Sequence, residues 1–293
     1  MSDSDFSIVI PTFRREGVLI ETMRRVFALS PSELIICDQT RHHEPATEEA
    51  LAEWEKLGKV RILRIPQPNI ARAMNLGVRE ASGDVVLFLD DDVIPSPSLF
   101  AAHLAAYAAH PDAWAVVGQV LQPGEKPERT GNEKDFRFNS TEEQWIEKAI
   151  ACNFSVRRER FWEVGGFDEN FVQVAYCFET EFAERVIRRG GKVLFEPRAS
   201  IRHLRAVRGG TRAHGHHLTT ASPAHSVGAY YHLFLKHGAF GAIPGMTNRL
   251  VSSVATRHHL RRPWWIPFTL FGEVRGLVKA LGLFRRGPQL LKP

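Results

Sequence analysis

The stretch Asp84–Pro97, DVVLFLDDDVIPSP, sets an unbroken apolar run, Val85 to Leu89, directly against three adjacent carboxylates, Asp90, Asp91 and Asp92. A short apolar run bounded by turn residues reads as a strand buried on both faces, as in a parallel sheet. Charge cannot follow it into the interior without compensation, so the acids stand where the strand emerges or hold a cation. If the chain stays extended, Asp90 and Asp92 point the same way and can share one hard cation, Mg²⁺ or Mn²⁺, while Asp91 lies on the opposite side. A solvated turn ahead of Pro95 and Pro97 is the plain alternative.

Working outward, FSIVIP (6–11), ELIICD (33–38), VRILRIP (60–66) and DVVLFLD (84–90) alternate with helix-like patterns at 16–29, 44–57 and 70–81. In the last of these Asn69 can cap, Ile70, Met74 and Val78 share a face, and Gly83 follows the end. This alternation predicts an α/β fold, a twisted and mainly parallel sheet flanked by helices, with ligands at the C-terminal ends of its strands. Pro11-Thr12, Asp38 and the aspartate triplet all fall at such ends. Residues 122–142 are polar and aperiodic, a candidate lid. The segment 179–197 reads as helix, Gly190-Gly191 stop and strand, with Phe182, Val186 and Ile187 on one face and Glu184–Arg188 as an i,i+4 pair. Beyond about 205 the alternation is lost, which divides the chain into 1–205 and a basic helical extension, 206–293.

The 293 residues are 44% hydrophobic, enough for a substantial core, and disorder is excluded. Three dispersed cysteines, Cys37, Cys152 and Cys177, form no metal or disulfide pattern and predict a reducing, cytoplasmic setting. Neither a signal peptide nor a membrane-spanning run is evident. The net charge of +5 hides an asymmetry: residues 1–184 carry 19 Lys/Arg against 31 Asp/Glu, whereas 185–293 carry 19 against only Glu196 and Glu273. An anionic partner for the C-terminal part is expected.

No G-x-G-x-x-G follows the first strand and no G-x-x-x-x-G-K-[ST] occurs, which disfavours a dinucleotide enzyme and a P-loop NTPase. What stands there instead is FSIVIPTFRR. Together with CDQT, NIARAMNLGVREASGDVVLFLDDD, CNFSVRRERFWEVGGFDENF, and FETEFAERVIRRGGKVLFEP followed by His203, it resembles the family-2 glycosyltransferases over residues 5–204. The resemblance implies a GT-A fold, with nucleotide-sugar binding in about 1–120 and the acceptor side in about 121–205. It implies that Pro11, Thr12, Arg14 and Glu16 border a nucleotide diphosphate sugar, that Asp38 accepts from the base, and that Arg72 approaches from the helix at 70–81. Asp90-x-Asp92 matches the DxD motif that binds metal and sugar diphosphate, with Asp91 beside it, and His203 matches a further metal ligand. Asn153, Phe154 and the Gly165-Gly166-Phe167-Asp168 turn match the acceptor-side segment; the two glycines also suit a simple tight turn.

Sugar transfer from a nucleotide diphosphate needs a Lewis acid on the departing group and a base for the acceptor's proton. The family places an aspartate base in E-D-x-[DE]; here Phe178-Glu179-Thr180-Glu181 puts Glu179 at that position and Glu181 at the later acid. A longer carboxylate beside a phenylalanine predicts a raised pKa if the site is dry. Helix N-termini also attract acids with no catalytic purpose. One base implies inversion, with a saccharide or lipid-linked hydroxyl as acceptor.

In the extension, Arg261-Arg262, Trp264-Trp265, Phe268, Phe271, Arg275, Lys279, Phe284 and Arg285-Arg286 interleave cations with aromatics. That pattern suits peripheral contact with the anionic inner face of a membrane, ahead of nucleic acid, which is not expected, or of simple packing on the catalytic part. The clusters His214/His216/His217, His42-His43 and His258-His259 read as loop residues. A sugar nucleotidyltransferase is the rival enzyme, though PTFRREG matches its Gly-rich basic loop poorly, and a non-catalytic nucleotide-sugar or polyanion-binding protein is the rival of another class.

Overall fold

The computed structural model describes residues 6–58, 60–129, 136–214 and 224–292. His216 and His217, and residues 130–135 of the expected lid, lie outside the described residues.

The first half follows the expected alternation: β1 (Phe6–Thr12), α1 (Gly17–Phe27), β2 (Glu33–Asp38), α2 (Pro45–Lys56), β3 (Arg61–Arg64), α3 (Ile70–Glu80) and β4 (Val85–Leu89). These four strands run parallel in the order β3-β2-β1-β4. Successive side chains of β1 point to opposite faces and so enter two different cores. Val9 joins Met74 and Val78 of α3, while Ile8 and Ile10 join Leu19, Met23 and Val26 of α1. Because both faces are covered, every residue of β4 is buried, which accounts for its continuous apolar sequence. Full burial of each such side chain contributes about 1.5–3 kcal/mol. Asn69 caps α3, its side chain accepting from the Arg72 backbone N–H.

Beyond β4 come β5 (Val93–Pro95), α4 (Leu99–Ala109), β6 (Ala113–Leu121), β7 (Gln144–Ile146), β8 (Asn153–Arg157), α5 (Arg158–Glu163), α6 (Phe178–Arg188) and β9 (Lys192–His203). They extend the sheet as β8-β6-β9-β5, with β7 also on β9. Strand β8 is antiparallel to both β4 and β6. The register of β9 against β6 slips between Gly118↔Glu196 and Gln119↔Ser200. The extra residues let β9 pair with β7 in its first half and with β5 in its second.

The chain beyond 205 is helical as expected: a 3₁₀ turn (Gly210–His214), α7 (Ser226–Gly241), α8 (Ile243–Val254), α9 (Arg257–Arg261), a second 3₁₀ turn (Pro263–Trp265) and α10 (Ile266–Arg286). Helix α10 lies close on α7: a Cβ on Gly276 would stand 1.9 Å from Ser226 Oγ. After α10 the chain returns to the turn that follows α5, where Glu169 N–H donates to Gln289 O (3.0 Å) and Leu291 N–H to Gly165 O (2.8 Å).

Three local expectations change. The Glu184 carboxylate bonds Lys236 Nζ (2.6 Å) and His232 (3.2 Å) of α7, and Arg188 Nε donates to the Glu184 carbonyl instead, so this pair fastens α6 to α7. His43 is no loop bystander: its ring is almost fully buried between Glu16 and Asp38. His259 is likewise buried, with Nε2 2.9 Å from Thr269 Oγ1, and ties α9 to α10.

Candidate active site

The parallel strands β1, β2 and β4 release Thr12, Asp38 and Asp90 at one edge of the sheet. In the antiparallel pairing of β5 with β9, Val93 stands opposite His203, and Leu204 N–H donates to Asp92 O at 2.8 Å. This register brings His203 Nε2 to 3.1 Å from Asp92 and 3.5 Å from Asp90. Ligand atoms of Asp90, Asp92 and His203 all lie within 4.8 Å of one another. The other imidazole nitrogen, Nδ1, is 3.0 Å from Gln122 Oε1, which fixes the ring with Nε2 toward the acids.

As the extended-chain argument required, Asp91 turns the other way. Thr12 Oγ1 donates to it at 2.7 Å, and Arg15 Nε lies 3.2 Å from it. Arg15, rather than its neighbour Arg14, is the cation of the site: it is buried, reaches Asp92 at 3.5 Å, and donates to the carbonyls of Ala206 (3.2 Å) and Arg208. Sequence reasoning missed it, because an adjacent arginine pair outside a strand carries no signal of which member turns inward. Arg14 is exposed over the Phe13 ring, with a left-handed φ of 53°.

The electrostatics follow from three acids facing one buried arginine. Desolvation raises Asp90 to about 6, with Asp92 adding and His203 and Arg15 opposing. Desolvation likewise raises Asp91 to about 7 against the pull of Arg15 and the Thr12 hydrogen bond. At Asp92 desolvation is outweighed by His203, the Ala206 N–H (2.7 Å) and Arg15, and the pKa falls below the usual value. Two carboxylates and one imidazole, converging with surplus negative charge, are a donor set that fits Mn²⁺ or Mg²⁺.

Glu179 is half-buried in the first turn of α6, and desolvation, augmented by Asp90, raises it to about 7. The buried thiol of Cys152 is pushed well up by burial, with the charges of Asp90, Glu179 and Asp92 adding to it. The segment entering α6 is strained: Gln173, Ala175 and Cys177 have φ of 63°, 52° and 71°. The cleft above, about 700 Å³ with its open mouth, runs from Thr12 and Asn69 past the aspartates to Gln173 and Gly210.

Other expected site residues are placed differently. Asp38 is fully buried and already accepts from Thr40 N–H (2.9 Å) and Arg64, with His43 Nε2 at 3.0 Å. His43 Nδ1 meets Glu16 at 3.1 Å, so Glu16 and Asp38 act together through one imidazole. Pro11 lines the cleft, and Arg72 is exposed at the start of α3. On the acceptor side, Asn153 spends its amide inside the sheet, donating to Gln119 O (3.1 Å) and Ala199 O (2.8 Å) with His103 on its oxygen. Phe154 and Phe167 are interior rings packed on Phe88 and Phe182. Asp168 is buried and accepts from Tyr231 OH (2.7 Å) and from the N–H groups of Asn170 and Gln289 (2.9 Å each). Gly166, at φ 63°, leaves room for Leu291, whose Cδ1 would lie 2.7 Å from an added Cβ. Glu181 is buried and clamped by Arg185 at 2.7 and 2.8 Å. The five side chains among these residues face interior or intramolecular partners, and the turn itself is covered by the returning C-terminal segment.

Comparison with known proteins agrees with the mixed α/β fold. The chain is 27% identical over 204 residues to validoxylamine A glucosyltransferase of Streptomyces hygroscopicus subsp. jinggangensis, an alignment covering 56% of this chain and 47% of that protein. It is 27% identical over 216 residues to glucosyl-dolichyl phosphate glucuronosyltransferase of Haloferax volcanii, covering 67% and 68%. The chain thus spans about half the length of the validoxylamine relatives it matches. Among solved structures, GalNAc-T7 with UDP, GalNAc and Mn²⁺ superposes with a TM-score of 0.62 at 19% identity over 78% of this chain and 47% of that one. A mannosyltransferase of Pyrobaculum calidifontis with GDP-Man and Mn²⁺ superposes with a TM-score of 0.58 at 16% identity over 97% and 79%. The fold is therefore that of GT-A glycosyltransferases. The profile described as Glycosyl transferase family 2 matches residues 7–165, more than half of the sequence, and the chain belongs to that family.

Proposed function

We propose that the protein is a metal-dependent, inverting glycosyltransferase that moves a sugar from a nucleotide diphosphate to a hydroxyl of a saccharide or lipid-linked acceptor, in cell-surface polysaccharide or glycolipid synthesis. The observation that carries this reading is the convergence of Asp90, Asp92 and His203 at the strand ends. Asp90, Asp92 and His203 would hold Mn²⁺ or Mg²⁺, which when bound supplies a Lewis acid for the departing diphosphate.

The chain's own groups do the rest. Glu179, raised to about 7, is poised near neutral pH to take the acceptor hydroxyl's proton. Thr12 and Arg15 hold Asp91 away from the donor side and keep the triplet's backbone fixed. Pro11, Arg14, Glu16 and the exposed Arg72 border the nucleotide, and Asp38 serves that end by orienting His43 rather than by meeting the base directly. Asn153, Phe154, Gly166, Phe167, Asp168 and Glu181 shape the acceptor side from behind.

A panel of nucleotide sugars, screened for Mn²⁺-dependent thermal stabilisation and then for transfer or hydrolysis, tests the reading. Stabilisation by one donor, with turnover lost on chelation, is the expected result. If no nucleotide sugar stabilises the protein with metal present, the reading fails. Release of pyrophosphate from a nucleoside triphosphate and a sugar phosphate would favour the nucleotidyltransferase instead.

A further inference from the structure

Helix α10 has two contrasting sides. Thr269, Gly272, Glu273, Gly276, Ala280 and Leu283 are buried, and the one acid of the helix, Glu273, is turned inward to Arg249 at 3.0 and 3.1 Å. The outward side bears Phe268, Phe271, Val274 and Val278, exposed by 54, 57, 50 and 66%. At 100° per residue these four fall on one stripe, and exposed Arg275, Lys279, Arg285 and Arg286 share that side of the helix. Leu260 and Trp264, 82 and 63% exposed, precede the helix in sequence, next to Arg261 and Arg262. Large exposed apolar side chains in a contiguous stripe mark an interaction surface.

We infer that this side of α10, with Leu260 and Trp264, docks on an anionic phospholipid surface. Charge identifies the occupant. From 206 to 293 the sequence has twelve Lys/Arg and a single acid, and that acid faces inward. A second copy would bring the same positive face and be repelled. Nucleic acid would satisfy the charge but leave Val274 and Val278 without a role, since bases stack on aromatic rings and not on branched aliphatic side chains. A bilayer satisfies both: cations reach headgroup phosphates while aromatic and aliphatic side chains enter the acyl boundary. Among the described residues no helix is long and apolar enough to cross a membrane, so the helix lies on the surface. Arg275, stacked 5.6 Å from the Phe271 ring, places a cation beside an inserting aromatic.

The test is co-sedimentation of the full chain with vesicles of phosphatidylcholine, with and without phosphatidylglycerol, at physiological ionic strength. Binding only to the anionic vesicles, weakening steeply with added salt, is expected. Arg275→Gln with Lys279→Gln should weaken it about thirty-fold, since each surface cation contributes about fivefold. Phe268→Ser with Phe271→Ser should weaken it while leaving the salt dependence in place. All four positions are exposed, so both variants should melt as the parent does, and the salt titration of the parent needs no variant. The proposal is overturned if anionic vesicles do not retain the protein, or if neither double variant weakens retention. It is equally overturned if ultracentrifugation shows a dimer that these variants dissociate, or if single-stranded RNA is bound while vesicles are not.

Discussion

The imidazole of His203 stands 3.1 Å from the carboxylate of Asp92, 111 positions earlier in the chain, because Val93 and His203 are partners in the β5–β9 pairing. The candidate cation site therefore depends on a strand register as much as on the three side chains that would ligate the ion. His203→Ala should lower Mn²⁺ affinity at least about tenfold while the fold persists. Titration followed by Mn²⁺ electron paramagnetic resonance measures this; unchanged affinity would remove His203 from the ligand set.

Glu179→Gln should reduce turnover by about 10²–10⁴ with donor and metal binding retained. Only the carboxylate form accepts a proton, so activity should decline as pH falls through about 7. Since Asp90 is one cause of the raised value, a bound cation should move that limb downward. A pH–rate profile of the parent, taken at two Mn²⁺ concentrations, checks the direction.

Stability of the metal-free protein should also depend on pH. Asp90, Asp91 and Glu179, raised to about 6, 7 and 7, bind protons more tightly folded than unfolded. Their stabilising contribution is present at low pH and is lost as pH rises from their ordinary range, about 4, through about 7. Depressed carboxylates such as Asp92 and Glu196 act oppositely, but below that window. Melting temperatures in chelator should fall across the window, less so in Glu179→Gln, and Mn²⁺ should reverse the fall.

Arg15→Met should destabilise the protein by about 3 kcal/mol, because it leaves Asp91 and Asp92 buried without their cation and frees the Ala206 and Arg208 carbonyls. Denaturant titration gives the value. A loss below about 1 kcal/mol would mean that the acids find solvent or other donors.

Much of this was legible in the sequence because it is local. Strand β4 and its acids, the Asn69 cap and the Gly190-Gly191 stop each follow from neighbours within a few positions. The pairing of Asp90 with Asp92 follows from an extended chain, but the place of His203 beside them came only through family resemblance, since no short-range pattern records a register between β5 and β9. The burial of the expected acceptor-side residues was hidden for the same reason. GGFD is a turn, but the covering segment around Leu291 is remote, so Asp168 and Phe167 looked available when they are interior. Arg15 and His43 escaped notice because a pair of identical residues does not reveal which one turns inward.

The segment around Gln289 bears on how the chain is made. Asp168 receives its Gln289 hydrogen bond from a residue 121 positions later. At ~5–20 residues per second, a ribosome needs on the order of ten seconds to supply it. Throughout that interval the turn lacks its cover, and a nascent protein halted there would leave the Asp168 carboxylate short of one donor and Gly165 and Gly166 without Leu290 and Leu291.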